Sequence, residues 1–302
     1  MLKEKVDRIL ERIDEWQAPP VTEDMPKGDM PGDKIAIGEE HIRKAAKIFP
    51  RMIRLMAKQK RDKLVISVFG GSGVGKSETA SLLAHYLRSS GIGTYVVSGD
   101  NYPRRIPLYN DAERLSVFRS AGLKGLIRAG VYNGSIREKL SALWEQEKDA
   151  DPQAVADDEW LSCYQEAGRA ALRSYLGTPA EQDYDEINSI IEQFRNGAKS
   201  IFLKRMGRSE NERWYDEIDL TDINVMIIEW THGGNENLHG IDIPILLNST
   251  PEETKEHRRL RARDGKTDSP FTTMVLEIEQ EELDGAFERA KMIMAKNGDF
   301  LK

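Results

Sequence analysis

The stretch KLVISVFGGSGVGKSETASLLAHYL, residues 63–87, decides the fold. Residues 63–69 are an apolar run rich in β-branched side chains, the pattern of a strand buried on both faces of a parallel sheet. Residues 76–89 then place Ala80, Leu83, Ala84 and Leu87 on one face of a helix. Between strand and helix stands Gly70-x-x-x-x-Gly75-Lys76-Ser77. Glycines let such a loop curl until successive backbone N–H groups converge on an anion, and the helix N-terminus behind them favours negative charge. The lysine and hydroxyl that close the loop complete a cradle for the β- and γ-phosphates of a nucleotide and for Mg²⁺. Gly70, Gly71, Ser72, Gly73, Val74, Gly75, Lys76, Ser77 and Glu78 are therefore the expected nucleotide-binding residues, with ATP and Mg²⁺ as the expected ligands.

Outward from this loop, a GIG turn leads to a second buried strand, TYVVS (94–98). INVMIIEW (223–230) and DIPILLNS (242–249) read as two more buried strands, and SIFLKRM (200–206) as a further one. Strands alternating with helices define an α/β fold with a doubly wound parallel sheet. Residues 1–62 read as an N-terminal helical arm and linker: helical periodicity in 1–16 and 39–60 flanks a segment, 17–38, with four prolines and three glycines. Residues 63–302 read as the P-loop domain, with a helical insertion at about 111–178. Within it, the acidic run EQEKDADPQAVADDEW reads as a solvated connection. Residues 251–263 and 273–296 read as the last two helices.

Ligands in such sheets bind beyond the carboxyl ends of the strands, which selects three more segments. SGDNYPRR (98–105) follows the second strand. Asp100 there faces the γ-phosphate as the candidate general base, and Tyr102, Arg104 and Arg105 are candidate acceptor contacts. Glu229 ends an apolar strand, where a buried charge needs a partner or a metal; with Ser77 it is the candidate Mg²⁺ residue. His232, before Gly233-Gly234, reads as part of a turn. The basic helix EHRRLRARD (256–264) reads as a lid, with Arg259 and Arg263 four apart on the face that covers the phosphates.

Composition excludes several classes. The formal net charge of −7 argues against nucleic acid as the partner. No apolar stretch reaches the roughly 18–20 residues of a membrane span, and MLKEKVDRIL has no secretory apolar region. The single cysteine, Cys163, cannot form an internal disulfide; it reads as packing, and its isolation favours the cytoplasm. A small-molecule partner is expected, and a homo-oligomer is compatible with the sequence.

The order P-loop, GDNYPRR, strand ending in IIEW-x-H, then arginine-rich helix resembles the uridine kinase and phosphoribulokinase family of P-loop kinases. YDEINSIIEQFRNGAKSIFLKRMGRS (184–209) resembles that family's segment leading to an arginine-bearing substrate loop. The resemblance covers roughly 64–110 and 179–270 and implies transfer of the γ-phosphate of ATP to a hydroxyl of a small metabolite. By it, Asp100 matches the catalytic aspartate, Lys76 and Ser77 the nucleotide residues, Glu229 the second acidic residue and Arg208 the substrate-loop arginine. Lys204-Arg205-Met206 stands where the family usually has Tyr-Asp. The GDN triplet also resembles adenylylsulfate kinases, and a nucleotide-operated switch without a metabolite acceptor is the reading from a different class. Arg104, Arg105, Lys204, Arg205 and Arg208 together lead to the expectation of an anionic acceptor, since buried cations need partners.

Overall fold

The computed structural model describes residues 1–302 apart from 23–24, 33–34, 157 and 262–268. The chain begins with α1 (Leu2–Glu11) and α2 (Glu39–Met56), then β1 (Leu64–Gly70), α3 (Lys76–Ser89) and β2 (Thr94–Ser98). Helices α4 (Pro107–Arg128), α5 (Gly134–Glu145), α6 (Trp160–Arg173) and α7 (Tyr184–Arg195) follow. The strands β3 (Ser200–Met206), β4 (Arg213–Asp219), β5 (Val225–Glu229) and β6 (Ile243–Leu247) come next. The described chain ends through α8 (Pro251–Arg261), α9 (Pro270–Gly285) and β7 (Met292–Met294). Five strands form one sheet in the order β2-β5-β1-β6-β7, and every pair in it is parallel. The central strand, β1, feeds the glycine-rich loop, and its neighbours β5 and β6 return from later crossovers.

Strand alternation sorts β1 between two cores. Leu64, Ile66 and Val68 face the cluster built by α1, α2 and α3, whereas Val65 faces the one beneath α7 and β3. The N-terminal arm shares the first of these cores: Leu2, Val6, Ile13 and Met25 are buried in it, and Trp16 stacks on Phe49 at 4.4 Å. The helices α4–α6 build a separate cluster around Phe118, Tyr164 and Leu172, into which α9 inserts Met274, Val275 and Ile278. Cys163 packs against the edge of that cluster. The acidic run is not wholly solvated: Asp149 is buried, paired with Arg119 at 3.0 Å and bonded to the Tyr164 hydroxyl at 3.0 Å.

Two strands depart from the sequence expectation. β4 pairs antiparallel with β3 in a hairpin outside the main sheet. Its residues RWYDEID are mostly exposed, so no apolar run announces them. The last helix stops at Gly285, and Met292–Met294 pairs with β6 as the sheet edge instead of extending the helix to 296. That tripeptide is apolar on successive residues, a pattern that suits an edge-of-core strand and a buried helix turn equally well.

The turn after β2 depends on a missing side chain. A Cβ on Gly99 would lie 2.0 Å from Cγ of Trp230, whose indole is held between the rings of Tyr184 (5.3 Å) and His232 (5.3 Å). Gly99→Ala is expected to destabilise the protein by about 1–3 kcal/mol through overpacking. Urea unfolding measures this; an unchanged midpoint would mean that Trp230 yields without cost.

Candidate functional site

The residues singled out in the sequence converge at the carboxyl ends of β1, β2 and β5. Gly75 caps α3 with φ 93°, a left-handed conformation open to glycine at little cost. A Cβ there would also strike the imidazole of His41 at 2.8 Å, so helix α2 of the arm rests directly on the loop. His41 Nδ1 accepts the Gly38 N–H at 3.1 Å, which leaves Nε2 toward the loop. On the other flanks, Arg258 Cγ lies 3.0 Å and Leu283 Cδ1 3.9 Å from the Cβ positions of Gly73 and Gly71. The loop is thus walled by α2, α8 and α9. Ser72 is exposed, Val74 and Glu78 are buried, and Lys76 Nζ donates to its own loop at Gly71 O, 3.1 Å.

Glu229 is buried at the end of β5, and its two oxygens accept from two hydroxyls: Ser77 Oγ at 3.2 Å and Ser98 Oγ at 2.7 Å. Burial and the nearby Asp100 push its carboxyl up to about 8, against the pull of Lys76 and the two hydroxyls. Two carboxylates beside a hydroxyl at the mouth of an anion cradle are an all-oxygen donor set, which fits a hard divalent cation such as Mg²⁺. Asp100 itself is exposed in the short turn Gly99–Asn101, close enough to Glu229 to raise its carboxyl.

The expected acceptor contacts fare unevenly. The Tyr102 side chain is fully buried in the core under α7, with Lys204 Nζ 5.0 Å from its ring centre, so it faces packing and not open space. The cations that led to the expectation of an anionic acceptor are already matched by carboxylates. Arg104 lies 3.5 Å from Asp183 and 3.7 Å from Asp185, and Arg105 3.9 Å from Glu113. Lys204 pairs with Glu186 at 2.5 Å, and Arg205 with Asp29 at 2.9 Å and Asp216 at 3.0 Å. Arg208 is exposed in the β3–β4 turn, where its backbone N–H donates to Glu212. The premise that these side chains need an anionic substrate therefore fails for Arg104, Arg105, Lys204 and Arg205. On α8, Arg259 is exposed, while Arg258 is anchored to Pro251 O and Thr254 Oγ1; Arg263 lies outside the described residues.

A second set of carboxyl groups, not foreseen in the sequence, lines the site from the helical side. Glu181 is fully buried and pairs with Arg114, which also approaches Glu279 on α9 at 3.6 Å. Burial raises the Glu279 carboxyl, which also feels Lys76 and Asp100. Glu282 is pushed up to about 8 by burial and by Glu279 and Glu181, and burial pushes His232 down to about 4. His232 Nδ1 lies 3.7 Å from Glu282; near neutral pH this is a neutral imidazole beside a protonated carboxyl, not an ion pair. The other ring nitrogen of His232 meets the buried amide of Gln182 at 3.3 Å. The turn reading of His232 misses this burial; the signal available was Glu279 and Glu282, three apart beside the apolar stripe of α9.

Glycine-loop geometry, the central position of β1 and the Ser77–Glu229 contact define the chain as an α/β P-loop protein with a cation-compatible phosphate cradle. No family model matches it. It is 35% identical over 257 residues, 85% of its length, to the bifunctional alpha-galactosidase/sucrose kinase AgaSK of Mediterraneibacter gnavus, of which it spans 23%. Among solved structures it is similar to a "Possible Uridine Kinase" from Bacillus stearothermophilus, with a TM-score of 0.46 and 14% identity, covering 83% of this chain and 96% of that one.

The Glu282 carboxyl gives a test of the helical wall. The folded state keeps its proton up to about pH 8, whereas the unfolded chain loses it near 4.5, the ordinary value of a glutamate. Stability carried by this group is therefore full at low pH and falls as pH rises across that window. Glu282→Gln is expected to lose less Tm than the wild type between pH 5 and pH 9 in parallel thermal scans. Equal slopes would show an ordinary carboxylate.

Proposed function

We propose that this chain is an ATP-dependent kinase that transfers the γ-phosphate to a hydroxyl of a neutral sugar. The observation that carries the reading is that Lys76, the Ser77–Glu229 pair and Asp100 gather near one another at a loop built to hold phosphates. Two further facts support the sugar. The relative's name joins a galactosidase to a sucrose kinase, and a P-loop belongs with phosphoryl transfer and not with glycoside hydrolysis. The carboxyl groups of Glu181, Glu279 and Glu282 gather near one another, with Glu279 feeling Lys76 and Asp100, and can exchange hydrogen bonds with the hydroxyls of a sugar.

In this reading, the loop N–H groups and Lys76 grip the β- and γ-phosphates. Ser77 and Glu229 would hold Mg²⁺, which when bound neutralises charge on the transferring phosphate. Asp100 accepts the proton of the acceptor hydroxyl as its oxygen bonds to the γ-phosphorus. The bond from that phosphorus to the β-phosphate oxygen breaks, and ADP leaves with the electron pair. The chain's own contribution is placement and an oriented field. Arg258, Arg259 and Arg261, on the helix beside Gly73, would belong to the basic lid.

The test begins with ADP release from ATP·Mg²⁺ against neutral mono- and disaccharides, nucleosides, sugar phosphates and adenylylsulfate. Turnover is expected with a neutral sugar; exclusive use of an anion would reject the neutral acceptor. Asp100→Asn should then cut turnover by about 10²–10⁴-fold, the usual worth of a placed general base, with ATP affinity by calorimetry nearly unchanged. Lys76→Ala should abolish turnover and weaken nucleotide binding together. Normal turnover in the Asp100 variant would remove it as the base.

A further inference from the structure

The proline- and glycine-rich segment between α1 and α2 does not run over the surface as a plain linker. Met25 and Pro26 are buried, and the Asp29 side chain is only 7% exposed. Its carboxylate has donors on both oxygens. Oδ1 accepts from the backbone N–H of Ser98 at 2.7 Å and from Nδ2 of Asn101 at 3.0 Å. Oδ2 accepts from the Arg205 guanidinium at 2.9 Å and from the Tyr95 hydroxyl at 3.3 Å. Asn101 passes the connection on, because its Oδ1 accepts the N–H of Met206 at 3.0 Å. Gly28 lies against the metal-side carboxylate: a Cβ there would be 3.6 Å from Glu229 Oε1.

The geometry has a direction. Ser98 and Asn101 bracket Asp100 in the chain, and Asp29 Oδ1 closes a ring across them. Met206 and Arg205 are the last residues of β3, at the mouth of the β3–β4 hairpin. One carboxylate thus fixes the turn that carries the proton acceptor and the hairpin that stands beside it. Burying a charge is costly, and burial raises this carboxyl to about 6 against the pull of Arg205. An apolar side chain could fill the same space without that cost, but it would leave the Ser98 N–H, the Asn101 amide and Arg205 unsatisfied.

Resting on the kinase reading above, we propose that Asp29 of the N-terminal arm is a positioning residue for phosphoryl transfer, holding Asp100 and the β3–β4 hairpin at one spacing. It touches neither the nucleotide loop nor the reacting atoms and acts through Asp100. Arm and core thereby form one active site.

Four variants decide it: Asp29→Ala, Asp29→Asn, Asp100→Asn and the double Asp29→Ala/Asp100→Asn, assayed at a temperature where all remain folded. Asp29→Ala should lower kcat by about 10²-fold, the scale of a small misplacement of a reacting group, with ATP·Mg²⁺ affinity within about threefold. Asp29→Asn keeps an acceptor for Ser98 and Asn101 and should recover at least about tenfold of that loss. The double variant should be hardly slower than Asp100→Asn alone, because the two act as a unit. If Asp29→Ala slows the Asp100→Asn enzyme as much as it slows the wild type, or weakens ATP binding in proportion to kcat, Asp29 is a structural staple and the proposal falls. Should the wild type phosphorylate no acceptor, the kinase reading fails first. Trypsin cleavage after the exposed Lys27 then reads the pin alone. Asp29→Ala is expected to be nicked at least about tenfold faster, and equal rates would overturn the pin.

Discussion

The carboxylate of Glu229 ties together the parts on which the site depends. It ends β5, which lies between the glycine-loop strand and the strand that carries Asp100. Its oxygens reach Ser77 on one side and Ser98 on the other, so the start of α3 and the end of β2 are fastened to a single buried group. A parallel sheet naturally opens a crevice where neighbouring connections leave its carboxyl edge in different directions. Here that crevice holds the Glu229 carboxyl, and the start of α3 and the end of β2 are fastened to it. Trp230, the next residue, packs under Gly99 and sets the height of the turn.

The charge balance around the crevice is unlike what a run of basic residues in the chain implies. Arginines and lysines near the acceptor side are consumed by carboxylates from α4, the 181–186 segment, β4 and the arm. The carboxyls of Glu229 and Glu282 lie inward, each pushed up to about 8 by burial and by neighbouring carboxylates, and burial raises Glu279 as well. Such groups both donate and accept hydrogen bonds, which suits a ligand rich in hydroxyls better than one that brings its own negative charge.

What was legible in the sequence is what local pattern encodes. The glycine loop, the strands 64–70, 94–98, 225–229 and 243–247, and the positions of Lys76, Ser77, Asp100 and Glu229 at their ends follow from apolar runs and from one motif. Pairing across long separations was not legible. Asp29 sits in GDMPGD, which reads as turn chemistry, and its partner Arg205 is 176 residues away; Arg114 meets Glu181 across 67 residues. Neither periodicity nor spacing carries such a match. The exposed strand β4 and the edge strand β7 were missed for a different reason, because neither shows the alternation of a half-buried strand. Tyr102 was misplaced because a motif position says which residue is near a site but not which way its side chain turns.

The long reach of Asp29 has a bearing on how the molecule comes into being. During synthesis residue 29 is made before its partners, and its carboxylate can be satisfied only after β2, the Asn101 turn and finally Arg205 have been made. Until then the segment around residue 29 has no reason to dock, since an unpaired buried carboxylate is costly. The strand, loop and helix of the phosphate cradle span residues 64–89, whereas the crevice beside it is completed only where residue 29 meets a partner 176 residues further on. The Asp29 contacts are therefore complete only when the β3–β4 hairpin is in place and in register.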